Sequence, residues 1–206
     1  QALLQGTFQR YWREFAERRD GRREWKDYTP YELRAVGSFI RLGWRGRAHE
    51  ALDYFLAGQQ PRGWNQWAEV VSHTPRTPFF VGDLPHAWVE SDFARSVLDM
   101  FAYHREEDQA LVVADGIPVA WLDGAGVSIA DLRTPDGRLG YTLRHARRTL
   151  VLQLAAGLQV PRGGVVFRWP YPGQPGKATI NGRPLAWTGS ELRIRSVPAA
   201  VRISIH

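Results

Sequence analysis

Hydrophobic residues recur at helical spacing in the first half of the chain. Two successive apolar faces are marked, one by Leu33, Val36 and Ile40 and the next by Ala48, Ala51, Leu52, Phe55 and Leu56. A spacing of three or four residues places such side chains on one side of an α-helix. Glycines lie at positions 43 and 46 between the two faces, as is common in turns. The pattern therefore predicts a helical hairpin.

Two further helices are predicted on either side of this hairpin. The first twenty residues show a helical spacing of large apolar side chains: Leu4, Phe8, Tyr11, Trp12 and Phe15. Residues 85–105 carry a wide apolar arc that includes Phe93, Val97 and Phe101. Glu90 and Asp92 lie near its start, where the helix dipole favours negative charge. Both acids can be explained by this helix start alone, as an N-terminal charge pair or cap, without a role in a functional site.

The spacing of apolar residues changes to every second position after residue 108. It is seen in residues 139–143, 150–154 and 201–205. Alternation of this kind predicts strands with one buried face. Asn181-Gly182 predicts a type I′ hairpin turn, and Asp136-Gly137 a second turn. We therefore expect an α+β fold by segments, with helical hairpins in residues 1–108 and an antiparallel β-sandwich of six to eight strands in residues 109–206.

An apolar connector joins the two predicted regions. Residues 117–122 read IPVAWL and follow the third predicted helix closely. The arc of that helix is too wide for one helical hairpin to cover. We therefore expect the connector to pack against the C-terminal end of the helix, with Trp121 as its main anchor.

The charge of the chain is unevenly distributed. The net charge is +6, yet residues 109–206 contain 12 basic and 5 acidic side chains, an excess of seven positive charges. The tightest basic cluster, in residues 18–26, is interleaved with acids that cancel it. Nucleic-acid binding would favour basic residues gathered on one face of a recognisable module, so we expect no nucleic-acid partner. The chain contains no run of roughly 18 apolar residues, so no membrane span is expected.

Other chemistry is restricted by composition. The chain has no cysteine, which excludes disulfides and thiolate zinc sites. His73 and His86 lack a histidine partner four residues away on a helix, and no cofactor motif is present. We therefore expect neither a metal nor a cofactor. The N-terminal segment has no signal-peptide pattern and the chain begins without Met, so the sequence does not indicate its localisation.

The densest mixture of aromatic and ionisable residues lies in residues 61–93. Prolines at positions 61, 75, 78 and 85 interrupt regular structure there, and Trp64, Trp67 and Trp88 are interspersed with Glu69, Asp83 and His86. A long loop in a compact domain is usually functional or disordered, and the tryptophans argue against disorder. Flat aromatic rings and hydrogen-bonding side chains suit carbohydrate. Each tryptophan also has the alternative of being a hydrophobic anchor.

Two motifs in this stretch resemble the closing section of six-hairpin (α/α)6-barrel glycosidases, the class that includes glucoamylase-like hydrolases. WNQWAEVV (64–71) takes the place of the segment that carries their catalytic base, and GDLPHAWVESDFARSVLDM (82–100) contains the Gly-x-x-Pro-x-x-Trp pattern that opens their last inner helix. Residues 114–144 are similar to their link into a C-terminal β-domain. The resemblance covers about residues 28–205. The family's Pro-Glu-Gln motif is absent, and Glu69 is the nearest carboxylate.

The resemblance implies the C-terminal part of a bacterial glycoside hydrolase or phosphorylase, with a glycan as substrate. Glu69 is then the candidate general base, and Glu32 is a second carboxylate that could face the same pocket or only open a helix. Trp64, Trp67 and Trp88 are expected to shape sugar subsites, with Asn65, Asp83 and His86 bonding hydroxyls. Cleavage needs two carboxyl groups, so we expect another catalytic carboxylate in an N-terminal part of the same enzyme.

A non-catalytic role remains open as the alternative. The predicted sandwich could itself bind carbohydrate, because Trp169, Tyr171 and Trp187 lie near predicted strand ends and the positive charge favours anionic glycans. The sequence around them, Trp-Pro-Tyr-Pro, also has the form of a rigid packed corner. A structural domain that stabilises a neighbour is a third possibility.

Overall fold

The computed structural model describes residues 2–74, 80 and 82–205. Within these residues, helices come first and strands follow, so the predicted α+β order is confirmed. The chain divides into two compact units, Gln1–Asp99 and Met100–His206. Two of the four prolines expected to interrupt the long loop, Pro75 and Pro78, lie outside the described residues. No described helix is long and apolar enough to cross a membrane.

The first unit is mainly helical. Its elements are α1 (Ala2–Arg19), β1 (Asp27–Tyr28), a 3-10 turn (Pro30–Leu33), α2 (Arg34–Arg41), α3 (Arg45–Ala57), β2 (Val71–Ser72) and most of α4 (Ala87–Phe101). β1 and β2 pair in an antiparallel ribbon. The predicted N-terminal helix and the helical hairpin of α2 and α3 are confirmed. Gly43, whose φ is +77°, makes the turn between the hairpin helices.

Aromatic side chains fill the core of this unit. Phe15 of α1 is buried and lies 5.1 Å from the ring of Tyr54 and 5.8 Å from that of Phe55, both on α3. Phe39 of α2 is also fully buried, against Phe8 and Trp12 of α1. Edge-to-face and tilted aromatic pairs of this kind add to the free energy gained from burial. They hold α1 on the hairpin and so fix the position of the 3-10 turn.

The second unit contains two sheets. Its strands are β3 (Ala102–Arg105), β4 (Ala110–Val113), β5 (Val127–Thr134), β6 (Gly137–Ala146), β7 (Thr149–Leu154), β8 (Val165–Arg168), β9 (Ala178–Ile180), β10 (Arg183–Leu185), β11 (Glu191–Ile194) and β12 (Ala199–Ser204). One sheet has the order β10-β9-β12-β7-β6-β5 and is antiparallel throughout; the other has the order β11-β8-β4-β3. In the second, β4 and β8 run parallel.

The strand predictions locate the large sheet. The alternating segments become β6, β7 and β12, whose Leu143, Leu152 and Val201 are buried on one face. Asn181 and Gly182 have φ of +49° and +80°, as a type I′ turn requires, and join β9 to β10. The described strands outnumber the six to eight expected. The parallel pair was not predicted, because β4 is buried at every position and shows no alternation.

The third helix and the connector differ from the prediction. α4 ends at Phe101, and residues 102–105 pair with β4 as β3. The connector does reach this helix end, since the backbone N–H of Gly116 donates to the carbonyl of Met100 at 3.1 Å. The anchor is wrong, however: Trp121 is 47% exposed, whereas Leu122 is fully buried. Both residues lie in the 3-10 turn Val119–Leu122, whose adjacent side chains point in different directions.

Candidate functional site

Two backbone segments bring the candidate residues of the long loop together. The N–H of Glu69 donates to the carbonyl of Asp83 at 2.9 Å, and the N–H of His86 donates to the carbonyl of Trp67 at 2.7 Å. The segments 67–69 and 83–86 therefore lie side by side. Gly82 permits this approach, because a Cβ at that position would come within 2.8 Å of Cβ of Glu69.

Trp67 anchors this pair of segments. Its side chain is only 4% exposed, and its ring lies 5.1 Å from the ring of Phe93 on α4. The expectation that Trp67 shapes a sugar subsite is corrected by this burial, since a ring enclosed by protein has no free face. Because its carbonyl also accepts from the backbone N–H of His86, Trp67 holds the backbone segment that carries the imidazole.

Glu69, Asp83 and His86 form a cluster. Each offers a nitrogen or oxygen atom that lies within 4.8 Å of those of the other two. Nδ1 of His86 is 3.7 Å from Oδ2 of Asp83. Oε2 of Glu69 accepts a hydrogen bond from the backbone N–H of Asp83 at 3.2 Å. The structure thus joins three of the residues that the sequence indicated.

Tyr31 is a fourth member that sequence reasoning missed. Its hydroxyl shares a short hydrogen bond with Nε2 of His86. Partial burial, and then the negative charge of Glu69, raise the pKa of Tyr31, so its phenol stays protonated at neutral pH. The available signal was its place beside Glu32 in the motif Tyr28-Thr29-Pro30-Tyr31. Both residues lie in the 3-10 turn Pro30–Leu33, in which adjacent side chains point in different directions, so that Tyr31 reaches the cluster while Glu32 does not.

Trp88 places an exposed aromatic surface beside the cluster. Its side chain is 65% exposed, and its ring meets the ring of Tyr31 edge-on at 6.1 Å. Phe80 and Leu84 are exposed nearby in the sequence. The exposed part of the Trp88 ring is accessible to a ligand that contacts the cluster.

Trp64 and Asn65 are exposed and make no hydrogen bond or ring contact with the described residues of the cluster. Trp64 is 62% exposed. Asn65 has a φ of +53°, the left-handed region that asparagine tolerates better than most residues. Within the described part of the chain, neither side chain makes a hydrogen bond or ring contact. They are available to a ligand, and their participation stays a prediction.

Glu32 does not join this cluster. Its two oxygens accept from the guanidinium of Arg18 at 2.8 and 2.7 Å, and Oε2 also accepts from the hydroxyl of Tyr11 at 2.6 Å. Burial, and then the Glu32 charge, raise the pKa of Tyr11, which keeps that phenol a donor. Glu32 lines a separate depression of about 390 Å³ beside α1. These contacts give it a structural role: it ties α1 to the 3-10 turn.

The cluster also has the donor types of a cation site. One imidazole nitrogen and two carboxylates suit a divalent metal such as zinc or manganese. Nδ1 is the ring nitrogen that faces Asp83, since Nε2 is engaged by Tyr31. The side chain of Asp83 is mostly exposed to water, which would compete with a metal for its oxygens. The expectation of no metal is not tested by this geometry.

The aromatic group of the second unit is packed. Trp169 is 9% exposed and meets the rings of Tyr171 at 4.9 Å and Trp187 at 5.9 Å. Nε1 of Trp187 donates to the carbonyl of Gly176 at 2.9 Å. Trp169 is therefore enclosed by its neighbours, whereas Tyr171 and Trp187 are partly exposed.

Comparison of the chain with models of protein families, with curated proteins and with solved structures gives no match.

Proposed function

We propose that the first unit carries a glycan-processing site in which Glu69 is the general base. The observation that supports this most directly is the convergence of Glu69, Asp83 and His86 within 4.8 Å, next to the exposed ring of Trp88. Sugars offer apolar faces to aromatic rings and hydroxyls to carboxylate and imidazole groups. Trp88, and Trp64 if it reaches the same ligand, would hold the sugar ring, while Asp83, His86 and Asn65 bond its hydroxyls.

Glu69 has the environment that a base requires. It is partly buried, and the N–H of Asp83 holds Oε2, which leaves Oε1 to accept a proton from water. A general base must lie within hydrogen-bonding reach of the water that it activates. The attacked centre is then the anomeric carbon of the glycan, with water as nucleophile in a hydrolase or phosphate in a phosphorylase.

Asp83 is too close to Glu69 to be the second catalytic carboxyl group of an inverting enzyme. Such pairs stand roughly 6.5–9.5 Å apart to leave room for water, whereas these two groups have oxygens within 4.8 Å. A retaining pair would stand roughly 5–5.5 Å apart with one carboxylate as the nucleophile. Because Glu69 is proposed as a base and not as a nucleophile, we assign Asp83 to substrate binding. The proton donor would come from an N-terminal part of the same enzyme, as the six-hairpin layout implies.

The same proposal includes the finer architecture. The helical unit would be part of an (α/α)6 toroid, and the α2–α3 hairpin supports this assignment. A ring of six hairpins needs many more helices than the four described. The strand unit would be a β-sandwich of the six- and four-stranded sheets. Supporting this, the hydroxyl of Tyr141 on β6 donates to the carbonyl of Phe101, the residue before β3, at 2.8 Å.

A glycan array probed with the full 206-residue chain tests the binding step. The best ligand is then offered as substrate to the complete enzyme, which includes the proton donor, as wild type and as Glu69→Gln. Loss of a general base should lower turnover at least ~10²-fold, with binding retained. Glu90→Gln, a partly buried acid in the first turn of α4, is the matched control and should stay within a few-fold of wild type.

Three outcomes are informative. Turnover by Glu69→Gln within a few-fold of wild type would show that Glu69 is not the base. Glycan binding that Trp88→Ala weakens, without any turnover by the complete enzyme, would support a non-catalytic carbohydrate-binding module. No binding of any glycan by wild type would contradict both versions.

A further inference from the structure

A row of side chains crosses the outer face of the six-stranded sheet. Arg144 on β6 and Arg202 on β12 are both register partners of Val151 on β7, and Arg202 is also the partner of Thr179 on β9. Directly paired residues in an antiparallel sheet project from the same face. The neighbours Leu143, Leu152 and Val201 are buried, so they belong to the inner face. Two arginines therefore flank Val151 on the side that faces water.

Val151 shows that the arginines lie along the sheet. It is on the outer face, yet it is only 5% exposed. Arginine commonly lays its aliphatic stem over an apolar neighbour while its guanidinium stays in water. Stems lying on Val151 from both sides would account for its burial and would hold the two guanidinium groups over the sheet. Strands in a sheet are ~4.8 Å apart, so the two arginines start ~10 Å from each other.

Two more cations extend this surface at the end of the sheet. Arg147 lies in the β6–β7 turn and Lys177 precedes β9, and both are exposed. The N–H of Ser204 donates to the carbonyl of Lys177 at 2.9 Å. Gly176 makes the approach possible, since a Cβ there would be 2.0 Å from the carbonyl oxygen of Ser204. The backbone thus holds Lys177 beside the end of β12.

These four cations line a depression of about 610 Å³. The other described residues that line it are neutral and include Thr149, Thr179 and Ser204, which carry hydroxyls. Among the described residues, none of the four cations has a carboxylate partner. Other arginines of this unit do: Arg168 pairs with Asp115 at 3.0 Å and Arg193 with Asp108 at 2.8 Å. The depression therefore keeps a concentrated positive charge, which an anion would neutralise.

We propose that this depression binds a linear acidic polysaccharide, with Arg144 and Arg202 contacting its carboxylate or sulfate groups. A guanidinium fork matches the oxygens of such groups in paired hydrogen bonds. The hydroxyls of Thr149, Thr179 and Ser204 suit the hydroxyls of the sugar. A row that crosses successive strands gives an extended surface, which fits a linear chain better than a compact anion.

The lining argues against the other polyanions. Single-stranded nucleic acids are held largely by bases stacked on aromatic rings, and none of the described residues that line the depression is aromatic. Surface helices that bind membranes combine basic residues with apolar side chains that insert among the lipids. None of the exposed large hydrophobic residues of the described chain lines this depression. Sugar hydroxyls and acidic groups are the chemistry that the lining matches.

The test measures binding of the full 206-residue chain to defined oligosaccharides by titration calorimetry. The ligands are an oligogalacturonate, which carries carboxylates, a heparin-derived oligosaccharide, which carries sulfates, and a maltooligosaccharide of the same length as the neutral reference. We expect one or both acidic ligands to bind and the neutral one not to. The affinity should fall as salt is raised, because the interaction is between exposed charges.

Paired variants locate the site. Arg144→Gln with Arg202→Gln should weaken the binding of acidic ligands at least ~10-fold. The double variant removes charge-assisted hydrogen bonds from two positions, and these losses add up to a tenfold change in affinity or more. Arg133→Gln with Arg138→Gln removes the same charge from the β5–β6 hairpin of the same sheet, outside this depression. This control pair should stay within ~3-fold of wild type. All four arginines are exposed, so the variants should fold.

Several results would overturn the proposal. Equal losses in the two pairs would mean that binding follows net charge and has no site at the depression. Tighter binding of a thymidine oligonucleotide or of phosphatidylserine vesicles than of either acidic oligosaccharide would assign the surface to another polyanion. Acidic and neutral ligands that bind equally would exclude a role for the arginines. Glu69 lies outside this depression, so Glu69→Gln should leave binding at the depression unchanged, and failure here is distinguishable from failure of the proposed catalytic site.

Discussion

Tyr31 and His86, 55 positions apart in the chain, are joined by a hydrogen bond between the phenol oxygen and Nε2 of the imidazole. Nδ1 of the same ring lies 3.7 Å from Oδ2 of Asp83. A carboxylate that faces Nδ1 favours a proton on that nitrogen, so that Nε2 accepts from the phenol. The contact thereby fixes both the orientation and the tautomer of the imidazole at the candidate site.

The tautomer of His86 is the first prediction. Neutral His86 should carry its proton on Nδ1, which long-range 1H–15N NMR of the ring nitrogens detects. Tyr31→Phe removes the donor and should shift the population towards the Nε2-protonated form. Tyr54→Phe, which changes a tyrosine on α3, should leave these signals unchanged. A dominant Nε2–H form in the wild type would contradict the arrangement.

Glu32 is predicted to matter for stability and not for catalysis. Its side chain is 22% exposed and that of Arg18 is 14% exposed. Glu32→Gln should lower the free energy of unfolding by about 1–3 kcal/mol, because it weakens charge-assisted hydrogen bonds that are partly shielded from water. Urea denaturation measures this change. Glu14→Gln removes the exposed pair with Arg10 and should cost at most ~0.5 kcal/mol.

The two roles for Glu32 have opposite consequences. If Glu32→Gln leaves the free energy of unfolding within ~0.5 kcal/mol of wild type and abolishes glycan turnover, then Glu32 is catalytic and the structural assignment is wrong.

Gly82→Ala is predicted to disturb the site by steric overlap. The added methyl would lie 2.8 Å from Cβ of Glu69. Since that atom is close to the backbone, the segments 67–69 and 83–86 must move apart, at a cost of about 1–3 kcal/mol. Urea denaturation gives the cost, and glycan turnover should fall with it. Gly46→Ala on α3, which meets no atom within 4 Å, is the matched control and should be neutral or stabilising. A stable and fully active Gly82→Ala would contradict the arrangement.

Local patterns were enough to predict much of the fold. Apolar spacing located α2, α3 and the strands β6, β7 and β12, because each of these elements buries one face and exposes the other. Asn181-Gly182 identified its turn because few residue pairs adopt two positive φ values easily. β4 was missed for the opposite reason: it is buried at all four positions, so no alternation marks it.

The candidate site was predictable only in part. The proximity of Glu69, Asp83 and His86 in one aromatic-rich loop indicated that they could act together. Composition did not show that Trp67 would be buried while Trp88 stays exposed, since that depends on which ring meets Phe93. Nor could it show Tyr31, whose hydrogen bond to His86 spans 55 positions. Glu32 was misleading because its partner Arg18 lies on another helix.

Leu122, and not Trp121, should anchor the connector that follows β4. Leu122→Ala removes a fully buried side chain and should lower the free energy of unfolding by about 2–5 kcal/mol. Trp121→Ala removes a larger side chain that is half exposed and should cost ~1 kcal/mol or less. Denaturant melts of both variants measure the difference. A greater loss in Trp121→Ala than in Leu122→Ala would show that the indole is buried in solution.

Acid should destabilise the second unit through an ion network on β3 and β11. Hydrogen bonds from Arg105 hold the pKa of Asp108 and of Glu191 below their ordinary values of 3.8 and 4.5. Carboxylates with a lowered folded-state pKa contribute stability that is complete above those ordinary values and is lost as the pH falls below them. The contribution of these two carboxylates to the free energy of unfolding, measured by urea melts, should therefore be constant from pH 7 to about pH 5 and decline towards pH 3. Asp108→Asn with Glu191→Gln should be less stable at pH 7 and should decline less steeply. The control is Asp131→Asn, which changes an exposed acid on β5 and should keep the wild-type dependence of stability on pH. If the double variant also kept that dependence, other carboxylates would be the cause of the loss of stability in acid.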